Sequence, residues 1–233
     1  MHPIPPIHLS LCLVPGHIHG LGLIDQLRYF RYQFQRLGLE VSCANNRLRR
    51  DAINFVFGAH SGFDPALRDE YCCMFVNLEQ LGAGAAQVGP SYLSLLSGSA
   101  VIDYDARNLT AYDRNADEVP LAPILHAPYL SGGPSIPLAE RPIDLLFFGC
   151  MNDRRRAWID RIEATGRTVA LFDAPLFGEE RDAYIRMSKA VLNIHFYDAC
   201  RFEQARVAHA EATSVYVGGT AGSASRMISR ISV

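Results

Sequence analysis

Residues 143–166, with the sequence IDLLFFGCMNDRRRAWIDRIEATG, carry the pattern that decides the fold. The first seven residues are apolar except for Asp144 and end at a glycine, as a buried strand does. Residues 153–165 then have the character of a helix that ends at Gly166. A buried strand followed at once by a helix is the repeating unit of a parallel sheet covered by helices.

The same alternation continues on both sides of this stretch. Further strands are predicted at residues 168–172 and 190–194, and helices at 179–187 and 202–212. In the first half, strands are predicted at 8–14, 40–44, 52–58, 73–78 and 100–104, and helices at 20–37, 91–96 and around 107–112. We therefore expect an α/β fold with two Rossmann-like lobes, the second incomplete.

Proline content predicts where the lobes divide. Six prolines and the pair Gly132-Gly133 lie between residues 119 and 142, a density that excludes regular helix. We predict an acceptor-side lobe at 1–130, a Pro/Gly-rich linker at 131–142 and a donor-nucleotide lobe at 143–217. Residues 218–233 are small and polar, which is typical of a flexible tail.

Composition narrows the classes of partner. A net charge of -2 gives no basic face for nucleic acid, so we expect no nucleic-acid partner. The six cysteines form no C-x-x-C pair, which favours reduced thiols in a cytoplasmic protein. The first twenty residues are broken by prolines and lack a basic start, so neither a signal peptide nor an integral membrane segment is predicted.

Two loops could carry chemistry. Gly149 and Asn152 lie between a strand and a helix, and Arg154 and Arg155 lie in the first turn of that helix, where free N–H groups and guanidinium groups can bind phosphate. The alternative is a solvated, arginine-rich first turn.

Asn193, His195 and Glu203 form the second polar set, in the loop that follows the last predicted strand of this half. A carboxylate here could accept sugar hydroxyls. Equally, Glu203 could serve only to satisfy the dipole of the following helix.

The ordered set of segments resembles bacterial group 1-type glycosyltransferases of the GT-B fold, over about residues 10–217. The segments are LLFFGCMNDRRRAWIDRI and GEERDAYIRMSKAVLNIHFYDACRFEQARVAHA in the second half, and GHIHGLGLIDQLRYFRYQFQRLGLEV, INFVFGAH, FVNLEQLG, VIDYDARN and LAPILHAPYL in the first. The resemblance implies two Rossmann-like lobes. A nucleotide-sugar would be held mainly by the second lobe and a carbohydrate-type acceptor by the first.

The resemblance also implies residue roles. Gly149, Asn152, Arg154 and Arg155 would face the donor phosphates, and Asn193, His195, Glu203 and Arg206 would form the wall of the donor pocket. Gly16, His17, His19 and Glu79 would line the cleft of the first lobe. His17, His19 and Glu203 are thus the candidate catalytic residues, with His17 or His19 as the base of an inverting reaction.

Two features depart from the family pattern. Glu203 and Glu211 have the eight-residue spacing of a glutamate pair in retaining members, but the alignment places His209 at the second position, so we interpret the spacing as coincidence. Family members continue with a Val-Val-Ser-Glu-like strand, whereas this chain has Val217-Gly218-Gly219-Thr220 and ends at Val233. We interpret this as a truncated or altered second lobe.

Asp103-Tyr104-Asp105 matches the metal-binding pair of GT-A transferases. The resemblance to GT-B enzymes, however, predicts no metal and no cofactor, because the nucleotide-sugar is a substrate.

The leading hypothesis is sugar transfer from a nucleotide diphosphate to a hydroxyl acceptor. The alternatives are a non-catalytic Rossmann-like remnant or scaffold, and an unrelated nucleotide-binding α/β enzyme.

Overall fold

The computed structural model describes residues 4–125, 127, 130, 136–199, 203–212 and 216–219. The chain divides into two compact units, Met1–Pro123 and Ile124–Val233. Each unit contains its own parallel sheet.

The first unit is built on a five-stranded parallel sheet in the order β2-β1-β3-β4-β5. Its strands are β1 (Ile7–Leu11), β2 (Val41–Asn45), β3 (Ile53–Phe57), β4 (Cys73–Asn77) and β5 (Ala100–Asp103). The strand order reverses between β1 and β3. In sheets of this kind, the crevice outside the carboxyl ends of the strands at such a reversal is where ligands bind.

The helices of the first unit are α1 (Ile24–Arg36), α2 (Leu67–Glu70) and α3 (Pro90–Ser97), with 3-10 helices at Ile18–Leu23, Ala59–Ser61 and Ala106–Tyr112. An aromatic face of α1 covers the sheet. The ring of Phe30 lies 5.3 Å from that of Phe57, and the ring of Phe34 lies 4.8 Å from that of Phe55. Burial of these large rings is a main source of stability for this layer.

A buried carboxylate lies at the carboxyl end of β5. Asp103 accepts hydrogen bonds from Asn77 Nδ2 (2.8 Å), Asn108 Nδ2 (2.7 Å), the Tyr112 hydroxyl (3.0 Å) and the Asp105 N–H (3.0 Å). Burial raises the pKa of Asp103, and these hydrogen bonds oppose the rise. We call the side chains of Asn77, Asp103, Asn108 and Tyr112 the Asp103 network.

The second unit is built on a four-stranded parallel sheet in the order β7-β6-β8-β9. Its strands are β6 (Ile143–Leu146), β7 (Val169–Ala170), β8 (Ser188–Asn193) and β9 (Tyr216–Gly219), and its helices are α4 (Asp153–Glu163), α5 (Gly178–Arg186) and α6 (Gln204–Ala212), with a 3-10 helix at Leu138–Glu140. The order reverses between β6 and β8.

Both faces of this second sheet are covered. Leu146 and Val191 belong to one buried cluster, and their chain neighbours Phe147 and Leu192 belong to another. Because successive residues of a strand point to opposite faces, the two clusters lie on opposite sides of the sheet. This confirms the α/β class and the parallel, Rossmann-like sheets expected from the sequence.

The ends of several predicted segments differ in the structure. The predicted strand 168–172 is limited to Val169–Ala170, and the predicted helix near 107–112 is a 3-10 helix. Of the predicted linker, residues 131–135 lie outside the described residues and Leu138–Glu140 is helical. Of the predicted tail, residues 218 and 219 lie in β9, and residues 220–233 lie outside the described part.

Within the described residues, none of the helices combines the length and apolar character that crossing a bilayer requires.

The buried Asp103 carboxyl predicts a pH dependence of stability. Its folded-state pKa is raised above the unfolded value of about 3.9, so its stabilising contribution is full below that value and is lost as pH rises through the folded pKa. We expect the free energy of unfolding of the wild type, relative to Asp103→Asn, to fall as pH rises through this window. Urea unfolding across the acidic range measures it.

Asp117→Asn, which changes an exposed carboxylate of the same unit, is the control and should show no comparable trend. A free energy of unfolding of the wild type, relative to that of Asp103→Asn, that rises with pH would contradict the assignment.

Candidate functional site

The candidate site lies at the carboxyl edge of the second sheet, where the strand order reverses. After β6 the chain runs through Phe147 and Gly149 into α4, and after β8 it runs through His195 and Glu203 into α6. These two loops are therefore neighbours at the edge where ligands of open α/β sheets bind.

Asn152 joins the two loops at the start of α4. Its Oδ1 accepts a hydrogen bond from the Arg155 N–H (3.0 Å), which caps the helix. Its Nδ2 donates to the carbonyl of Phe196 (2.8 Å), in the loop after β8. Asn152 thus fixes the position of the helix N-terminus.

Arg155 lies beneath this cap with only 4% of its side chain exposed. Its guanidinium donates to the Cys150 carbonyl (2.6 Å), the Ile194 carbonyl (2.9 Å) and Glu203 Oε1 (2.7 Å). Burial lowers the pKa of Arg155, and the adjacent Glu203 opposes this effect. The guanidinium predicted to face donor phosphates therefore holds the two loops together.

Arg206 reaches the same carboxylate from α6. It pairs with Glu203 Oε2, and its Nη1 donates to Asn193 Oδ1 (2.9 Å). The guanidinium packs over the rings of Phe147 and Phe148, at 5.4 and 5.6 Å from their centroids. Its Nε is buried and has no hydrogen-bond partner among the described residues.

Gly149 makes room for this arrangement. Its φ of 127° is one that side chains rarely adopt, and a Cβ there would lie 2.9 Å from Arg206 Nη2. The positive φ therefore favours a glycine at the end of the apolar run, and the absence of a Cβ also leaves room for the Arg206 guanidinium.

The cluster of Arg155, Glu203 and Arg206 has an excess of positive charge. Both guanidinium groups pair with the same carboxylate, so one positive charge is left unbalanced within it. It lies beside the N-terminus of α4, whose partial charge is also positive. The cluster is therefore suited to binding an anion, and Asp153 in the first turn of α4 and Asp198 beside Arg154 add negative charge to the same edge.

Arg154 and His195 have different surroundings from the cluster. Arg154 pairs with Asp198 at 3.1 Å, and the side chains are 34% and 88% exposed, a type of ion pair that contributes little stability. His195 is buried. All seven predicted donor-binding residues thus lie in, or next to, the two loops. The side chain of Glu211, the other member of the eight-residue glutamate spacing, is not among the described side chains.

The predicted catalytic histidines lie in the first unit. His17 and His19 follow β1, are exposed, and have ring centroids 5.5 Å apart. Glu79 follows β4, and its Oε1 lies 3.5 Å from His60 Nε2. His60 was not predicted from the sequence as a site residue, although it directly follows a buried strand, as His195 does.

No protein-family profile, curated protein or solved structure gives a significant match to this chain. The resemblance to the glycosyltransferases stays a prediction. What the structure itself supplies is an α/β fold whose second unit carries two guanidinium groups and one shared carboxylate at the carboxyl edge of its sheet.

We predict that removal of the single carboxylate of this cluster lowers the free energy of unfolding strongly. Glu203→Ala would leave two buried guanidinium groups facing each other without an anion, and we expect a loss of about 3–5 kcal/mol in the free energy of unfolding. Chemical denaturation followed by circular dichroism measures it.

Glu163→Ala, at the exposed end of α4, is the matched control and should change stability by less than about 0.5 kcal/mol. Equal effects of the two substitutions would show that the cluster does not hold the unit together.

Proposed function

We propose that the chain transfers a sugar from a nucleotide-diphosphate donor to a hydroxyl acceptor, as a GT-B-type glycosyltransferase of bacterial glycan biosynthesis. The observation that carries the proposal is the unbalanced positive charge of Arg155, Glu203 and Arg206 at the N-terminus of α4. The sequence resemblance supports the same donor class. A cytoplasmic location remains part of the proposal.

The charge matches the demand of the reaction. As the bond between sugar and diphosphate breaks, negative charge develops on the diphosphate, and fixed donors at that point lower the barrier. Arg206 would supply such a donor through Nη2 beside Gly149. Arg155 and Asn152 would act by holding the loops in place.

One observation favours the alternative of a binding or scaffold protein without catalysis. Both carboxylate oxygens of Glu203 pair with arginines of the same unit. An oxygen engaged in this way is less available for the hydroxyls of a ribose or sugar. In this alternative, the cluster only joins the loops and no nucleotide binds.

Nucleotide binding distinguishes the two functions. We expect UDP, GDP or ADP, or one of their sugar conjugates, to raise the melting temperature of the chain, since a ligand of the folded state stabilises it. Arg206→Met should lower the affinity for that nucleotide about 10- to 100-fold, because a hydrogen bond from a charged group is lost. Thermal unfolding across a concentration series measures both effects.

Arg161→Met, on the exposed last turn of α4, is the control and should retain wild-type affinity. Absence of any shift with millimolar nucleotide would contradict the transferase proposal and favour the scaffold.

A further inference from the structure

A serine and a histidine meet on one face of the first sheet. Ser42 in β2 and His8 in β1 are register neighbours, and Asn54 in β3 is the neighbour of His8 on its other side. Phe55, the next residue of β3, packs against Phe34 of α1. Because successive residues of a strand point to opposite faces, Ser42 and His8 lie on the face that α1 does not cover.

The hydrogen bonds of His8 determine which of its ring nitrogens can accept a proton. Its Nε2 lies 3.0 Å from the carbonyl oxygen of Arg47, which can only accept, so Nε2 carries the hydrogen. In the neutral ring Nδ1 is then an acceptor, and Ser42 Oγ lies 2.8 Å from it. The Ile7 carbonyl, a second acceptor near this hydroxyl, is 3.5 Å away, so the hydroxyl donates to His8.

The same serine oxygen accepts a hydrogen bond from a cation. Arg49 Nη1 donates to Ser42 Oγ at 3.1 Å, while Arg49 Nε and Nη2 donate to the two carboxylate oxygens of Asp51 at 3.0 and 2.6 Å. This bidentate pair orients the guanidinium. The hydrogen bond from Arg49 lowers the pKa of Asp51, and the nearby His8 adds to this effect. Ser42 Oγ therefore lies between a base and a positive charge.

Ser42 lies where a small molecule can reach it. β2 stands at one end of the strand order of the five-stranded sheet, and Ser42 is half-buried. The Arg49 side chain beside it is 35% exposed, whereas His8 is only 3% exposed. The hydroxyl and the cation thus border solvent, and the base lies behind them in the protein.

Folding alone does not account for the contact between Ser42 and His8. The connection from β2 to β3 is already fixed near both ends. The Asn46 side chain exchanges hydrogen bonds of 2.8 Å with the backbone of Leu13, and the Asn54 side chain does the same with the backbone of Arg49. A serine that donates to a histidine, itself oriented by a third group, is the arrangement that nucleophilic catalysis uses.

We propose that Ser42 is a nucleophile activated by His8, and that the first unit hydrolyses small carboxylic esters at this place. Arg49 is the group that stabilises the negative charge of the intermediate. This activity is separate from the proposed sugar transfer and does not rest on it. The residues that carry it lie within one unit, on β1, β2 and the connection from β2 to β3.

The reaction has two steps. Ser42 Oγ bonds to the carbonyl carbon of the ester as its proton passes to His8 Nδ1, and Arg49 stabilises the charge on the carbonyl oxygen. The bond from that carbon to the alcohol oxygen breaks, and the alcohol leaves with the proton from His8. Water then attacks the acyl-serine and gives a proton to His8. The bond to Ser42 Oγ breaks, Oγ regains the proton, and the carboxylic acid leaves.

Labelling with a fluorophosphonate tests the nucleophile directly, because this probe forms a bond from the serine oxygen to phosphorus and releases fluoride. We expect peptide mass spectrometry to find the label on Ser42 of the native chain and not on Ser42 of the chain unfolded in urea. Ser42→Ala should remove that label. Ser94→Ala, on an exposed position of α3, is the matched control and should leave the labelling of Ser42 unchanged.

Two further variants test the roles of the base and the cation. His8→Gln, whose amide can still donate to the Arg47 carbonyl, should lower the rate of labelling about 100- to 10,000-fold, the usual contribution of a general base. Arg49→Met should lower kcat for hydrolysis of p-nitrophenyl acetate about 100-fold, the usual cost of losing one donor to the developing negative charge. Circular dichroism checks that each variant is folded.

The opposite results overturn the inference. Absence of label on Ser42 of the folded wild type means that the contact with His8 is structural only. A wild-type rate of labelling in folded His8→Gln overturns the role of the base. If His8→Gln does not fold, a wild-type kcat in Arg49→Met overturns the site. Labelling of Ser42 in a chain that does not hydrolyse p-nitrophenyl acetate overturns the assignment of ester hydrolysis.

Discussion

The second unit depends on one carboxylate shared by two buried guanidinium groups. Glu203 pairs with Arg155 from α4 and with Arg206 from α6, so it joins the elements that follow β6 and β8. Gly149, whose positive φ favours a glycine, lies against Arg206 of the same cluster. A buried ion cluster of unequal charge is expensive to desolvate, and its net charge makes this edge suitable for an anionic ligand.

In the first unit, uncharged side chains surround one buried carboxyl group, that of Asp103. Asp103 is held by amides and a hydroxyl rather than by a cation, and those amides also hold the backbone of Glu79. In both units, polar side chains that position loops lie at the carboxyl ends of the strands. Both sheets therefore place positioning groups at the carboxyl edge, but these groups are uncharged in the first unit and charged in the second.

The elements of both sheets could be predicted because parallel strands buried on both faces are continuous apolar runs. Cys73–Asn77 shows this pattern up to its last residue, whereas Ile53–Phe57 and Ile143–Leu146 are each interrupted by one polar residue. The 3-10 form of Ala106–Tyr112 was not predicted, although its ends are marked by the Asp105 cap and by Asp113, which has a φ of 57°. The loop residues of the site could likewise be located, since they follow strands.

The partners of those residues could not be predicted. Arg155 and Glu203 are 48 positions apart, and no local periodicity relates a first-turn arginine to a glutamate in another loop. The sequence therefore predicts an exposed, phosphate-facing Arg155, whereas the structure buries its side chain. His60 carried the same signal as His195, a place directly after a buried strand, but its contact with Glu79 could not be predicted because Glu79 follows a different strand.

A crystal structure of the full chain with a bound nucleoside diphosphate tests the central claim most directly. The account predicts the diphosphate at the N-terminus of α4, within hydrogen-bond distance of Arg206 and against Gly149. A nucleotide bound elsewhere in the chain would contradict it, as would crystals that remain free of nucleotide at millimolar concentration.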